Sequence, residues 1–116
     1  MSAGTERRRH VRLKPSVDIP ARVALVGDSL MRELVDVVDI SVGGMALTAA
    51  VLAGTTPGKR MKLSIALGNE EEHAIDVVAR WTAAGVVGVE VIDPSPRAAQ
   101  AISRYVAELL ERGASG

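Results

Sequence analysis

The chain has 116 residues, which suits one domain with its own core. Fourteen Lys and Arg balance fourteen Asp and Glu, so the total charge gives no support to a general polyanion binder. Cysteine is absent, which excludes disulfides, thiolate nucleophiles and cysteine-based zinc sites.

With no Phe, one Trp and one Tyr, the core must come from Val, Ile, Leu, Met and Ala. Valine-rich segments favour strands.

Residues 1–14 gather Arg7, Arg8, Arg9, Arg12 and Lys14 against Glu6 alone. This stretch is expected to be a basic arm, flexible without ligand, leading into a single domain over 15–116. Met1 to Glu6 lacks the apolar segment of a secretory signal, and no apolar run reaches membrane-spanning length. A cytoplasmic location is therefore expected.

Val17, Ile19, Ala21, Val23 and Leu25 alternate with mostly more polar positions, which predicts a strand from residue 17. Pro20 confines that strand to an edge or an irregular start. Gly27-Asp28-Ser29 reads as a turn. Leu30 to Ile40 is read as a strand because β-branched residues crowd its second half. A turn over Ser41–Gly44 and a short return strand, Met45 to Thr48, follow. Residues 50–58 form a Gly, Thr and Pro loop.

Met61 to Leu67 alternates again, as does Ile75 to Trp81. Ala83-Ala84-Gly85 turns the chain into Val86 to Ile92, which makes a hairpin. Ser95 with Pro96 then predicts a helix start, and the period changes to that of a helix over about 96–112, with Gly113 as a stop. About six short strands and one helix suggest an antiparallel sheet closed into a barrel.

Two stretches carry chemistry. The first is Arg8 and Arg12, spaced R-x-x-x-R. A guanidinium fork matches phosphate oxygens or the O6/N7 edge of guanine, and it can stack on a purine. A solvated basic tail, or a nonspecific nucleic-acid patch, would read the same in isolation. The second is Asp39, Ser41 and Gly44, spaced D-x-S-x-x-G. A carboxylate can accept from guanine N1–H and N2–H, a hydroxyl can meet a phosphate or a base amine, and glycine permits close backbone approach. An ordinary Asx turn would use Asp39 on its own backbone instead.

Other candidates fail. The segment Gly54 to Arg60 is one residue short of a phosphate loop and has Arg60 where a magnesium-holding hydroxyl should stand. His10 and His73 are too few for a metal site. No nucleophile has an evident base, so no enzymatic activity is expected. Glu70, Glu71 and Glu72 read as a solvated acidic run.

Taken together, in this order and separation, the two motifs resemble those of the PilZ domain, a bacterial receptor module for cyclic di-GMP. The resemblance covers essentially the whole chain and implies a six-stranded antiparallel barrel with a C-terminal helix. It implies that Arg8, Arg12, Asp39, Ser41 and Gly44 hold the dinucleotide between the arm and the outer barrel wall. Arg7 occupies a variable position that touches ligand in some members, where an arginine tends to accompany two stacked ligands. Arg9 reads as solvated. Trp81 matches an aromatic that can stack near a guanine, yet it shares parity with Ile75, Val77 and Ala79, so a core position is equally open. The implied ligand is cyclic di-GMP with no cofactor, and the implied partner is a protein that reads the rearranged arm. Some members bind proteins and ignore the nucleotide.

Overall fold

The computed structural model describes residues 12–27 and 32–112. Six strands, β1 (Ala21–Val26), β2 (Arg32–Ile40), β3 (Gly44–Thr48), β4 (Arg60–Leu67), β5 (His73–Ala83) and β6 (Val86–Ile92), close into a barrel in the order β1-β2-β3-β6-β5-β4. Every neighbouring pair is antiparallel. A single 3-10 turn, Ala50–Leu52, interrupts the loop between β3 and β4, and helix α1 (Pro96–Glu111) ends the described chain. The expected barrel with its C-terminal helix is the observed architecture.

Closure follows from the alternation. Val23, Val35, Met45, Leu47, Leu63, Ile65, Ile75, Val77, Val87 and Val89 point inward from the strands and meet in one apolar cluster. The β5–β6 hairpin turns on Ala84 and Gly85, whose φ values of 52° and 81° are those a two-residue loop of this hand requires.

The first strand begins at Ala21 rather than at residue 17. Val17 is 95% exposed. The Ser16 hydroxyl accepts from the Asp18 N–H at 3.2 Å, and the Ser16 carbonyl accepts from Ile19 N–H at 3.2 Å. Serine thus draws the chain into a local turn that alternation alone does not reveal. Ile19 is nonetheless buried, and its carbonyl accepts from the Tyr105 hydroxyl at 2.6 Å.

Helix α1 starts as its sequence predicts. The Ser95 hydroxyl accepts from Ala98 N–H at 3.1 Å, with Pro96 in the first turn. Its apolar face, Ala98, Ala101, Ile102, Tyr105, Val106 and Leu109, is buried and completes the core against β4 and β5. The predicted stop, Gly113, lies outside the described residues. No described helix is long and apolar enough to cross a membrane.

Residues 1–11 also lie outside the described residues, so the expected flexibility of the arm has no counterpart to compare there. Arg12 to Lys14 are described, and there the chain is already part of the domain. Leu13 is fully buried. It exchanges two backbone hydrogen bonds with Ile40: Leu13 N–H donates to the Ile40 carbonyl at 2.9 Å, and Ile40 N–H to the Leu13 carbonyl at 2.8 Å. The arm is therefore pinned to the end of β2, one residue from Asp39.

Candidate functional site

Two strand irregularities build the site. In β2, Val37 pairs with Leu47 and Asp39 with Ala46, so Val38 is an extra residue. In β5, Ala79 pairs with Val89 and Trp81 with Gly88, so Arg80 is extra. A bulge reverses which face the following residues take. Without them, Asp39 would follow Val35 and Val37 inward, and Trp81 would follow Ile75, Val77 and Ala79. With them, both side chains stand on the outer wall. The core reading of Trp81 is thus overturned: the residue is 38% exposed, and parity fails because the bulge at Arg80 intervenes.

The registers then put four residues in one row across four strands: Asp39 opposite Ala46, Ala46 opposite Gly88, and Gly88 opposite Trp81. The middle of the row is bare. A Cβ on Gly88 would stand 2.2 Å from Cε2 and Nε1 of Trp81, so the indole lies directly over this glycine. Ala46 is buried but belongs to the outward-facing set between Met45 and Leu47.

Arg12 closes the row from the arm side. Its Nη1 lies 3.2 Å from Oδ1 of Asp39, and its guanidinium carbon is 5.9 Å from the Trp81 ring centroid. That distance is within cation–π range. The Leu13–Ile40 bridge delivers Arg12 to this place. Arg12, Asp39 and Trp81, far apart in sequence, form one exposed cluster of cation, carboxylate and aromatic face. Asp39 is not engaged in the Asx turn that its sequence allowed; its carboxylate accepts from Arg12 instead.

The rest of the second motif shapes the turn. Ser41 is buried; its N–H and hydroxyl both donate to the Gly44 carbonyl, at 2.8 and 3.3 Å. The Gly43 carbonyl accepts from Val91 N–H at 2.9 Å. Gly44 must be glycine for a packing reason, since a Cβ there would lie 2.2 Å from the Val89 carbonyl oxygen. Its close approach is to β6, and neither Gly43 nor Gly44 has positive φ. Arg7 and Arg8 lie outside the described residues. Among the described residues, no three His, Asp or Glu side chains are grouped to hold a metal.

Sequence reasoning did not find the floor of the row, Ala46 and Gly88. Nor did it find Arg80 and Glu90 beside it, where Arg80 Nε donates to Glu90 Oε1 at 2.6 Å. Small residues and exposed ion pairs carry no signal until the register aligns them.

A family model described as the PilZ domain matches residues 6–108. The chain belongs to the PilZ domain family. No curated protein matches this PilZ domain by sequence. Among solved structures, it resembles MrkH of K. pneumonia in complex with c-di-GMP, with a TM-score of 0.74 and 19% identity. It also resembles YcgR of Escherichia coli in complex with c-di-GMP, with a TM-score of 0.71 and 17% identity. In both comparisons 92% of this chain is covered, against 54% of the MrkH chain and 47% of the YcgR chain. The chain thus spans about half the length of these neighbours. The PilZ domain of YcgR with c-di-GMP is covered over 94% of its length, with a TM-score of 0.67 and 17% identity.

Proposed function

We propose that this PilZ domain is a non-enzymatic receptor for cyclic di-GMP. The observation that carries the reading is the meeting of Arg12, Asp39 and Trp81 on one outer wall, next to the turn built by Ser41 and Gly44. Asp39 accepts from N1–H and N2–H of a guanine. Arg12 turns from Asp39 towards O6/N7 or a phosphate, and Trp81 offers its exposed ring for stacking. Arg8, with Arg7 beside it, grips phosphates from the arm. Membership of the family and the c-di-GMP complexes among the structural neighbours support this ligand.

The response is a rearrangement of the arm. The nucleotide competes with Asp39 for Arg12 and with Arg12 for Asp39, so binding redirects the arm to which Arg12 belongs. A protein partner in the cytoplasm reads that change.

Calorimetric titration with cyclic di-GMP tests the reading, because it reports affinity and stoichiometry together. Saturable heat that Asp39→Ala diminishes is the expected result. Absence of binding by the folded chain would leave the family's other role, a protein-interaction module that ignores the nucleotide.

A further inference from the structure

A second arginine–carboxylate pair stands beside the first. The bulge in β5 makes Arg80 an extra residue immediately before Trp81 and leaves it exposed on the outer wall. Its Nε donates to Glu90 at 2.6 Å, and its two terminal nitrogens have no hydrogen-bond partner among the described residues. Glu90 is opposite Gly44 on one side and Val78 on the other, and Val78 is opposite Arg60. These residues form the next outward row, adjoining that of Asp39 and Trp81. A surface hollow of about 410 Å³ lies there, lined by Arg60, Val78, Arg80, Glu90 and Asp93 among others.

The chemistry repeats. Arg12 with Asp39 supplies a fork for O6/N7 and an acceptor for N1–H and N2–H. Arg80 with Glu90 supplies the same two functions, with a second cation, Arg60, on the rim. The spacing suits one ligand with two bases. Asp39 on β2 and Glu90 on β6 are two strand steps and two residues apart, which puts their Cα atoms roughly 12 Å apart. The two bases of a cyclic dinucleotide, separated by two ribose–phosphate units, can bridge that span. Trp81 ends the first row and is the next residue after Arg80.

We propose that Arg80 and Glu90 form a second guanine-reading subsite, so that this domain recognises both bases of the dinucleotide. The proposal rests on the receptor reading above. Glu90 has two tasks, accepting from the base and aiming Arg80. Both are exposed, with side-chain accessibilities of 59% for Arg80 and 53% for Glu90, so their removal leaves the barrel standing.

The test is titration of the full chain with cyclic di-GMP and with 3′,3′-cyclic GMP-AMP. The mixed dinucleotide can seat its one guanine at Asp39 but must place adenine at Glu90. The wild type should prefer cyclic di-GMP by about ten-fold or more, the worth of one base-edge reading. Glu90→Ala should narrow that preference by at least about three-fold, and Arg80→Ala should weaken cyclic di-GMP by about ten-fold. Equal affinity of the wild type for the two dinucleotides overturns the subsite while leaving the receptor reading intact. So does an unchanged preference in Glu90→Ala. A wild type that binds neither dinucleotide overturns both.

Discussion

The Trp81 indole fills the space that a Cβ on Gly88 would occupy, with Cε2 and Nε1 each 2.2 Å from that position. The contact sets the ring against the backbone of β6, with the Arg12 guanidinium carbon 5.9 Å from its centroid. Gly88→Ala therefore forces the indole away. Crowding of this kind typically costs about 1–3 kcal/mol, and the exposed setting favours the lower end. As the chain has a single Trp, its fluorescence reports the displacement directly. Cyclic di-GMP affinity should fall with it. An unshifted emission spectrum would show that the ring had not moved.

Arg12→Ala and Asp39→Ala should separate binding from stability. The pair they form is solvent-exposed, with side-chain accessibilities of 50% and 24%, and such pairs contribute about 0–1 kcal/mol to folding. A base-edge contact to guanine is worth about 1–3 kcal/mol, or roughly ten- to hundred-fold in affinity. Each variant should thus unfold near the wild-type temperature while binding weakly. Unchanged affinity in both would remove Arg12 and Asp39 from the site.

Stoichiometry tests Arg7. Two cyclic di-GMP molecules bring four phosphates together, and each added guanidinium offsets part of their repulsion. The wild type should saturate at two nucleotides per chain, and Arg7→Leu should move this towards one. Saturation of the wild type at one would refute this role of Arg7 without touching the site itself.

Tyr105 gives a pH signature. Its hydroxyl donates to the Ile19 carbonyl, and burial, with the Glu108 charge adding, pushes it up to about 12 from an ordinary 10.0. The folded state keeps a proton that the unfolded chain releases near pH 10. The stabilisation is therefore full below pH 10, declines as pH rises towards about 12, and is absent above it. Tyr105→Phe should cost about 1–3 kcal/mol at neutral pH by leaving a buried carbonyl unpaired, and should flatten the alkaline decline. Urea denaturation at pH 7, 10 and 11 would measure both.

Much of this protein was decided by its sequence. Period-two alternation in β4 to β6, and the serine cap and Pro96 of α1, specify a small barrel with a terminal helix, because these signals act over a few neighbouring residues; the burial of Tyr105 in a core expected from aliphatic residues alone was not among them. The two spaced motifs likewise mark Arg8, Arg12, Asp39, Ser41 and Gly44 as a set. What no local pattern contains is the pair of bulges at Val38 and Arg80. Each adds one residue to a strand, reverses the face of everything beyond it, and is defined only by the register against the neighbouring strand. Those registers turn Trp81 from an inward position to the outer wall, set it in line with Asp39 over Gly88 and Ala46, and bring Arg80 to Glu90. The Leu13–Ile40 bridge, also a tertiary pairing, ties the arm beside them. The sequence names the chemical groups, and the strand registers decide which of them share a surface.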